Sequence, residues 1–199
     1  ADLGADFGLV LAPGYYKRQM TTEVLYRYYA SLADAAPLPL IVYNAPAISG
    51  VTLSPELIDR LADHPNIAGM KYTAASDVET YVSLGRPGFD VLAGSASILL
   101  EAMSLGSPGG TVSLANAFPA LALRLYELGV AGDQEEGPRF QAFVTRVNSA
   151  VSGTYGVAGV KAAMELAGFE AGIPRRPLLP LDDAGVAELR STLEAEGVL

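Results

Sequence analysis

The sequence predicts an α/β fold in which parallel strands alternate with helices, and within that class it favours a (βα)8 TIM barrel over an open nucleotide-binding sheet. Three observations carry this. Short β-rich apolar runs recur at starts 33, 27, 24 and 19 residues apart, which leaves room for a helix between successive runs. The runs are almost wholly apolar rather than alternating, which suits strands covered on both faces. Neither a G-x-G-x-x-G after the first run nor a G-x-x-x-x-G-K-S/T anywhere supplies a phosphate loop, so a nucleotide-binding sheet lacks its signature.

In order, the predicted strands are Phe7 to Ala12, Leu40 to Tyr43, Ile67 to Lys71, Val91 to Ala93 and Gly110 to Leu114. Between them lie helical patterns: Leu25, Tyr28, Tyr29 and Leu32 after Thr22, then Leu57, Ile58 and Leu61 after a Ser54-Pro55 start. Ser97 is expected to open a helix from Ile98 to Leu105. Beyond Leu114 only helices are expected, over Pro119 to Val130, Asp133 to Val151, Val160 to Ala167 and Asp182 to Glu196, broken by glycines and by the stretch GIPRRPLLP. The resulting organisation is a partial barrel over 1–118 and, over 119–199, the final barrel helix with a C-terminal helical extension packed on the barrel.

Composition narrows the function classes. The net charge of -9, without a cluster of Lys and Arg, excludes a phosphate-tracking nucleic-acid surface. No apolar run approaches the roughly 18 residues of a membrane span. With no cysteine and no secretory-type leader at Ala1, a cytoplasmic enzyme is expected. The single histidine, His64, rules out a multi-His metal site and gives little support to a Ser-His-Asp triad.

In a barrel the chemistry sits at the C-terminal ends of the strands. Those ends carry Tyr15 and Tyr16, Tyr43 and Asn44, Lys71 and Thr73, Gly94 with Ser95 and Ser97, and Asn116. Lys71 stands out because it closes a small, apolar strand. A lysine there either snorkels to water or sits over the core with a lowered pKa, and a neutral amine is a nucleophile for a 2-oxo acid. Tyr43 taken alone reads as a core tyrosine; beside an imine-forming lysine, a phenol can relay protons. Glu135-Glu136 and Asp182-Asp183 read as solvated helix starts.

Two motifs then resemble a known family. Tyr43-Asn44-Ala45-Pro46 with Gly50, and His64-Pro65-Asn66-Ile67-Ala68-Gly69-Met70-Lys71, are similar to the tyrosine and Schiff-base lysine motifs of the dihydrodipicolinate synthase and N-acetylneuraminate lyase superfamily of class I pyruvate aldolases. Pro13 through Met20 resembles the segment that carries a tyrosine into a neighbouring subunit, with Tyr16 at the matching position. Leu92-Ala93-Gly94-Ser95-Ala96 and Leu114-Ala115-Asn116 look most like the 4-hydroxy-2-oxoglutarate aldolase branch.

The resemblance implies a lyase that forms an imine at Lys71, with Tyr43 and Tyr16 as catalytic partners. It places Gly94, Ser95, Thr73, Asn44 and Thr111 around the substrate. It implies a small 2-oxo acid as substrate, no metal or organic cofactor beyond the imine, and a homo-oligomer built as a dimer of dimers. N-acetylneuraminate-type lyase, dihydrodipicolinate synthase-like enzyme, sugar-acid dehydratase and inactive barrel subunit are the alternatives. Where the synthases hold a carboxylate-binding arginine this chain has Ile48, and the three barrel strands expected before the first run have no counterpart in these residues.

Overall fold

The computed structural model describes residues 1–199. Four parallel strands, β1 (Gly8–Leu11), β2 (Leu40–Asn44), β3 (Ile67–Tyr72) and β4 (Asp90–Ala93), form one sheet in the order β1-β2-β3-β4. Parallel neighbours need a crossover, and α1 (Thr22–Ala35), the short turn α2 (Pro46–Ser49), α3 (Pro55–Leu61) and α4 (Val78–Val82) supply it. The order runs without the reversal that defines a doubly wound sheet, so the arrangement is that of part of a (βα)8 barrel.

Local chemistry explains the element ends. Thr21 caps α1 by accepting from the Val24 N-H at 3.3 Å, one residue before the expected Thr22, and Ser54 caps α3 by accepting from Leu57 N-H at 3.2 Å ahead of Pro55. Leu25 and Tyr29 of α1, Leu57, Ile58 and Leu61 of α3, and Tyr81 of α4 are buried together with Val42, Met70 and Val91 from the sheet. Each such side chain contributes about 1.5–3 kcal/mol of burial. The opposite face of the sheet, with Leu11, Tyr43, Lys71 and Leu92 in register, is only half-buried, and Leu9 is 50% exposed. The expectation of strands covered on both faces therefore holds for one face only.

The predicted fifth strand, Gly110 to Leu114, is replaced by a single parallel bridge between Ala93 and Gly110. Ala93 N-H donates to Gly109 at 2.9 Å and Thr111 N-H donates to Ala93 at 2.8 Å, after which the chain winds into a 3-10 turn at Ser113–Asn116. Gly109, at φ 152°, and Gly110 bring no side chains that would hold an extended edge.

Two compact units result. One comprises Ala1–Gly94 and Glu101–Thr111, the other Ser95–Leu100 and Val112–Leu199. Ala96–Ile98 is a 3-10 turn capped by Ser95 rather than Ser97, and α5 (Leu99–Ser104) follows, one residue after the predicted start at Ile98. The second unit holds α6 (Pro119–Ala131), α7 (Glu136–Asn148), α8 (Thr154–Leu166) and α9 (Asp183–Ala195). A π-turn at Ser149–Gly153 carries α7 into α8, where Gly156 (φ 57°) reorients the chain, so Gly153 does not end a helix as expected. Asp133 and Asp182 accept backbone N-H bonds of 2.8 Å at the starts of α7 and α9, as solvated helix starts should.

Candidate active site

Tyr43 and Lys71 are register partners at the C-terminal ends of β2 and β3, so their side chains leave the same face of the sheet. Lys71 Nζ lies 4.5 Å from the centroid of the Tyr43 ring. The amine thus meets the ring face rather than the phenol oxygen. Burial pushes the Lys71 ammonium below its ordinary pKa and the Tyr43 phenol above its own. The ring quadrupole works against the first effect, because it favours the cation. At neutral pH the pair is therefore a phenol that keeps its proton beside an amine that gives its proton up more readily than a solvated lysine.

Thr73 and Gly94 complete the group on this sheet end. Gly94 N-H donates to the Tyr72 carbonyl at 2.6 Å, extending the β3-β4 ladder past the end of β4. A Cβ on Gly94 would stand 3.0 Å from Lys71 Cε and 2.8 Å from the Tyr72 oxygen, and would collide with Thr73 Cγ2. Glycine is what lets the backbone come this close to the lysine stem. Thr73 Oγ1 donates to the Asn44 carbonyl at 3.2 Å, fixing the chain just beyond Lys71.

Other predicted residues fall elsewhere. The Asn44 side chain leaves the opposite face, is fully buried, and is spent on Leu53: Nδ2 donates to its carbonyl at 3.1 Å and Oδ1 accepts its N-H at 3.2 Å. That corrects the expected substrate contact to a scaffold role, since one-residue alternation along β2 turns Asn44 away from Tyr43. Tyr16 is 64% exposed and meets the edge of Tyr15, itself 88% exposed, at 4.9 Å between ring centroids. Thr111 is exposed and anchored through its backbone to Ala93. Ser95 belongs to the second unit, where its Oγ accepts from Ser97 N-H at 3.3 Å and from Asn148 Nδ2 at 3.4 Å.

His64 and Asn66 of the lysine motif are structural. Asn66 Nδ2 donates to the carbonyls of Ala33, Ala36 and Leu38 and so ties down the end of α1. The Asn66 N-H donates to His64 Nδ1 at 3.1 Å, which leaves Nε2 to donate to Asp34 Oδ1 at 3.2 Å. No group of three or more His, Cys, Asp or Glu side chains converges as a metal-ligand set.

Two features have no sequence signal of their own. In the second unit, Asn148 Nδ2 donates to Ser97 Oγ at 2.9 Å while Ser152 Oγ donates to Asn148 Oδ1 at 3.0 Å, a network joining residues 51 apart. In the first unit, the stem of Lys17 lies across Gly50, with Nζ 2.5 Å and Cε 2.7 Å from where a Cβ would stand.

A family model described as the dihydrodipicolinate synthetase family matches residues 1–196. The chain belongs to that family. A 4-hydroxy-tetrahydrodipicolinate synthase of Exiguobacterium is 34% identical over 98% of this chain and 66% of its own length. A probable mitochondrial 4-hydroxy-2-oxoglutarate aldolase of Emericella nidulans is 34% identical over 96% of this chain and 62% of its own length. The chloride-inhibited dihydrodipicolinate synthase of Acinetobacter baumannii, solved with pyruvate, superimposes with a TM-score of 0.88 at 32% identity, covering 100% of this chain and 68% of that one. The chain thus spans about two thirds of the length of these family members. Family membership accounts for the unreversed strand order and confirms the resemblance read from the two motifs. Members of one family, alike at this level, carry the names of different reactions, so the family alone leaves the substrate open.

Proposed function

We propose that the chain provides the imine-forming part of a class I aldolase acting on a pyruvate-type 2-oxo acid, with 4-hydroxy-2-oxoglutarate cleavage as the reaction. The observation that carries this is the juxtaposition of a half-buried Lys71 with Tyr43 at the C-terminal end of a parallel sheet. Neutral Lys71 Nζ adds to the C2 carbonyl, and loss of water gives a protonated imine. The C3-C4 bond then breaks with its electron pair drawn into the imine, giving an enamine, while the C4 hydroxyl surrenders its proton and becomes the aldehyde of glyoxylate. Protonation of the enamine and hydrolysis release pyruvate and the lysine.

In this scheme Tyr43 carries protons at the carbinolamine and at the C4 hydroxyl, a role worth about 10²–10⁴-fold. Tyr16 extends that relay from a second subunit of a dimer of dimers, consistent with its exposure. The exposed Thr111 hydroxyl is the donor open to the substrate carboxylate; Gly94 N-H and Thr73 Oγ1, committed to the Tyr72 and Asn44 carbonyls, shape the turn around Lys71 instead, and Asn44 positions the loop. The imine is the electron sink, so the scheme draws on no metal or organic cofactor. A cytoplasmic setting is part of the same proposal, and no helix here is long and apolar enough to cross a membrane. Ile48, where the synthases carry an arginine, favours the aldolase reading over dihydrodipicolinate synthesis.

Borohydride reduction in the presence of pyruvate is the test. One pyruvate-derived mass on the peptide carrying Lys71, lost in Lys71→Ala, is the expected outcome. A folded protein that takes no such mass would refute the imine.

A further inference from the structure

We propose that Lys17 is a specificity-determining residue that receives the distal carboxylate of a dicarboxylic 2-oxo acid. The inference rests on the imine reading above and adds to it the class of tail the site accepts. Lys17 lies in the loop after β1 and Gly50 in the loop after β2, two parallel neighbours, so both stand on the sheet end that carries Tyr43 and Lys71. The Lys17 stem crosses Gly50, which closes α2 in the left-handed conformation at φ 68°. The positive φ is the demand that favours glycine there, and the missing Cβ leaves room for the lysine stem. The ammonium is thereby held over the turn that presents Ile48, which is 66% exposed.

Two side-chain cations of this unit outside the imine site, Lys17 and Arg18, form no ion pair, and of the two only Lys17 lies across Gly50. Arg27 and Arg60 are held by Glu23, and Arg86 by Asp59 and Asp63. Of the three lysines, Lys71 is assigned to the imine and Lys161 donates to the Ala171 carbonyl at 2.7 Å in the other unit. Lys17 forms no ion pair with any carboxylate, although the chain carries a net charge of -9 and offers anions freely. A dianionic substrate approaching so acidic a protein needs a local cation, and Lys17 supplies one on the sheet end that carries Lys71.

The experiment compares binding of 2-oxoglutarate and 2-oxopentanoate, equal in chain length and differing in the distal carboxylate, by titration calorimetry on the wild type, Lys17→Gln, Lys17→Arg and Arg18→Gln. The expected result is a wild-type preference for 2-oxoglutarate that falls about tenfold or more in Lys17→Gln, as loss of one charge-assisted bond requires. Lys17→Arg and the neighbouring control Arg18→Gln should keep the preference, and pyruvate should bind all four proteins alike. A preference that is absent in the wild type, or that survives in Lys17→Gln, overturns the assignment. Pyruvate trapping at Lys71 is scored separately on the same proteins. Trapping without dicarboxylate preference removes Lys17 alone, and preference through Lys17 without trapping removes the imine alone.

Discussion

The stacking of Lys71 Nζ on Tyr43 makes the lysine's protonation depend on a ring rather than on a hydroxyl, and the two are separable by substitution. Tyr43→Phe keeps the ring face and removes the phenol; Tyr43→Leu removes both. At 4.5 Å from the centroid the ammonium is within the range where a ring face contributes about 0.5–2 kcal/mol to the cation. Converted at 1.36 kcal/mol per unit, that is about 0.4–1.5 pK units. Burial already lowers the Lys71 pKa, and loss of the ring face lowers it further, so Lys71 in Tyr43→Leu should titrate about 0.4–1.5 units below Lys71 in Tyr43→Phe. A competing effect has the opposite sign: leucine is smaller, and water entering the gap would relieve the desolvation and raise the value. The sign of the difference decides between them. With only three lysines in the chain, ¹³C labelling at the ε-carbon gives a spectrum in which Lys71 is assigned by Lys71→Ala and followed through pH directly. Equal values in the two variants, or a higher value in Tyr43→Leu, would show that the ring face does not govern the amine. The consequence for chemistry follows the same sign: imine formation rises with pH through the Lys71 pKa, so its acid limb should lie at lower pH in Tyr43→Leu, even though turnover there is poor.

Gly94→Ala should lower kcat/KM about tenfold or more, because its Cβ displaces Thr73 and the Lys71 stem; adding Thr73→Ser, which removes the colliding methyl, should restore part of the loss, and a fully active single variant would show the approach is slack. Asn44→Leu should destabilise the fold by about 1–3 kcal/mol in urea titration, since the Leu53 N-H loses its acceptor while the Leu53 carbonyl keeps Tyr81 Oη at 2.6 Å. A change near zero would argue against its scaffold role. Tyr16→Phe should slow turnover about tenfold or more while Tyr15→Phe does not; the reverse outcome in a steady-state assay would assign the relay to Tyr15.

Most of the sheet was legible as short apolar runs separated by helical patterns, although those runs are buried on the helix-covered face only. The predicted Leu40 to Tyr43 became Leu40–Asn44, and Ile67 to Lys71 became Ile67–Tyr72. What failed depended on partners distant in sequence. Gly110 to Leu114 has strand composition, yet an extended segment persists only where ladder bonds hold it, and here they stop after Thr111. Gly153 predicts a break in the helical run from Glu136 to Leu166 because glycine weakens a helix, but a π-turn carries the backbone bonds through it.

In the candidate site, one misplaced residue was readable and one was not. Successive residues on a strand face opposite sides, so Tyr43 and Asn44 cannot both line one cleft, whereas Lys71 and Thr73, two apart, can. Once Lys71 is assigned to the half-open face, register with Tyr43 sends Asn44 and Tyr72 into the helix-covered layer, where Asn44 bonds Leu53 and the Tyr72 ring stacks on Tyr81 at 4.3 Å. The alternation is present in the sequence and by itself turns the Asn44 side chain away from the face that carries Tyr43 and Lys71. Lys17 offers no such pattern. Its position depends on Gly50 taking a left-handed cap 33 residues later and on two loops meeting above neighbouring strands, a contact that only the folded chain can make. For that reason the imine-forming pair is a property of local motif and register, while the residue proposed to choose the substrate's tail belongs to tertiary structure.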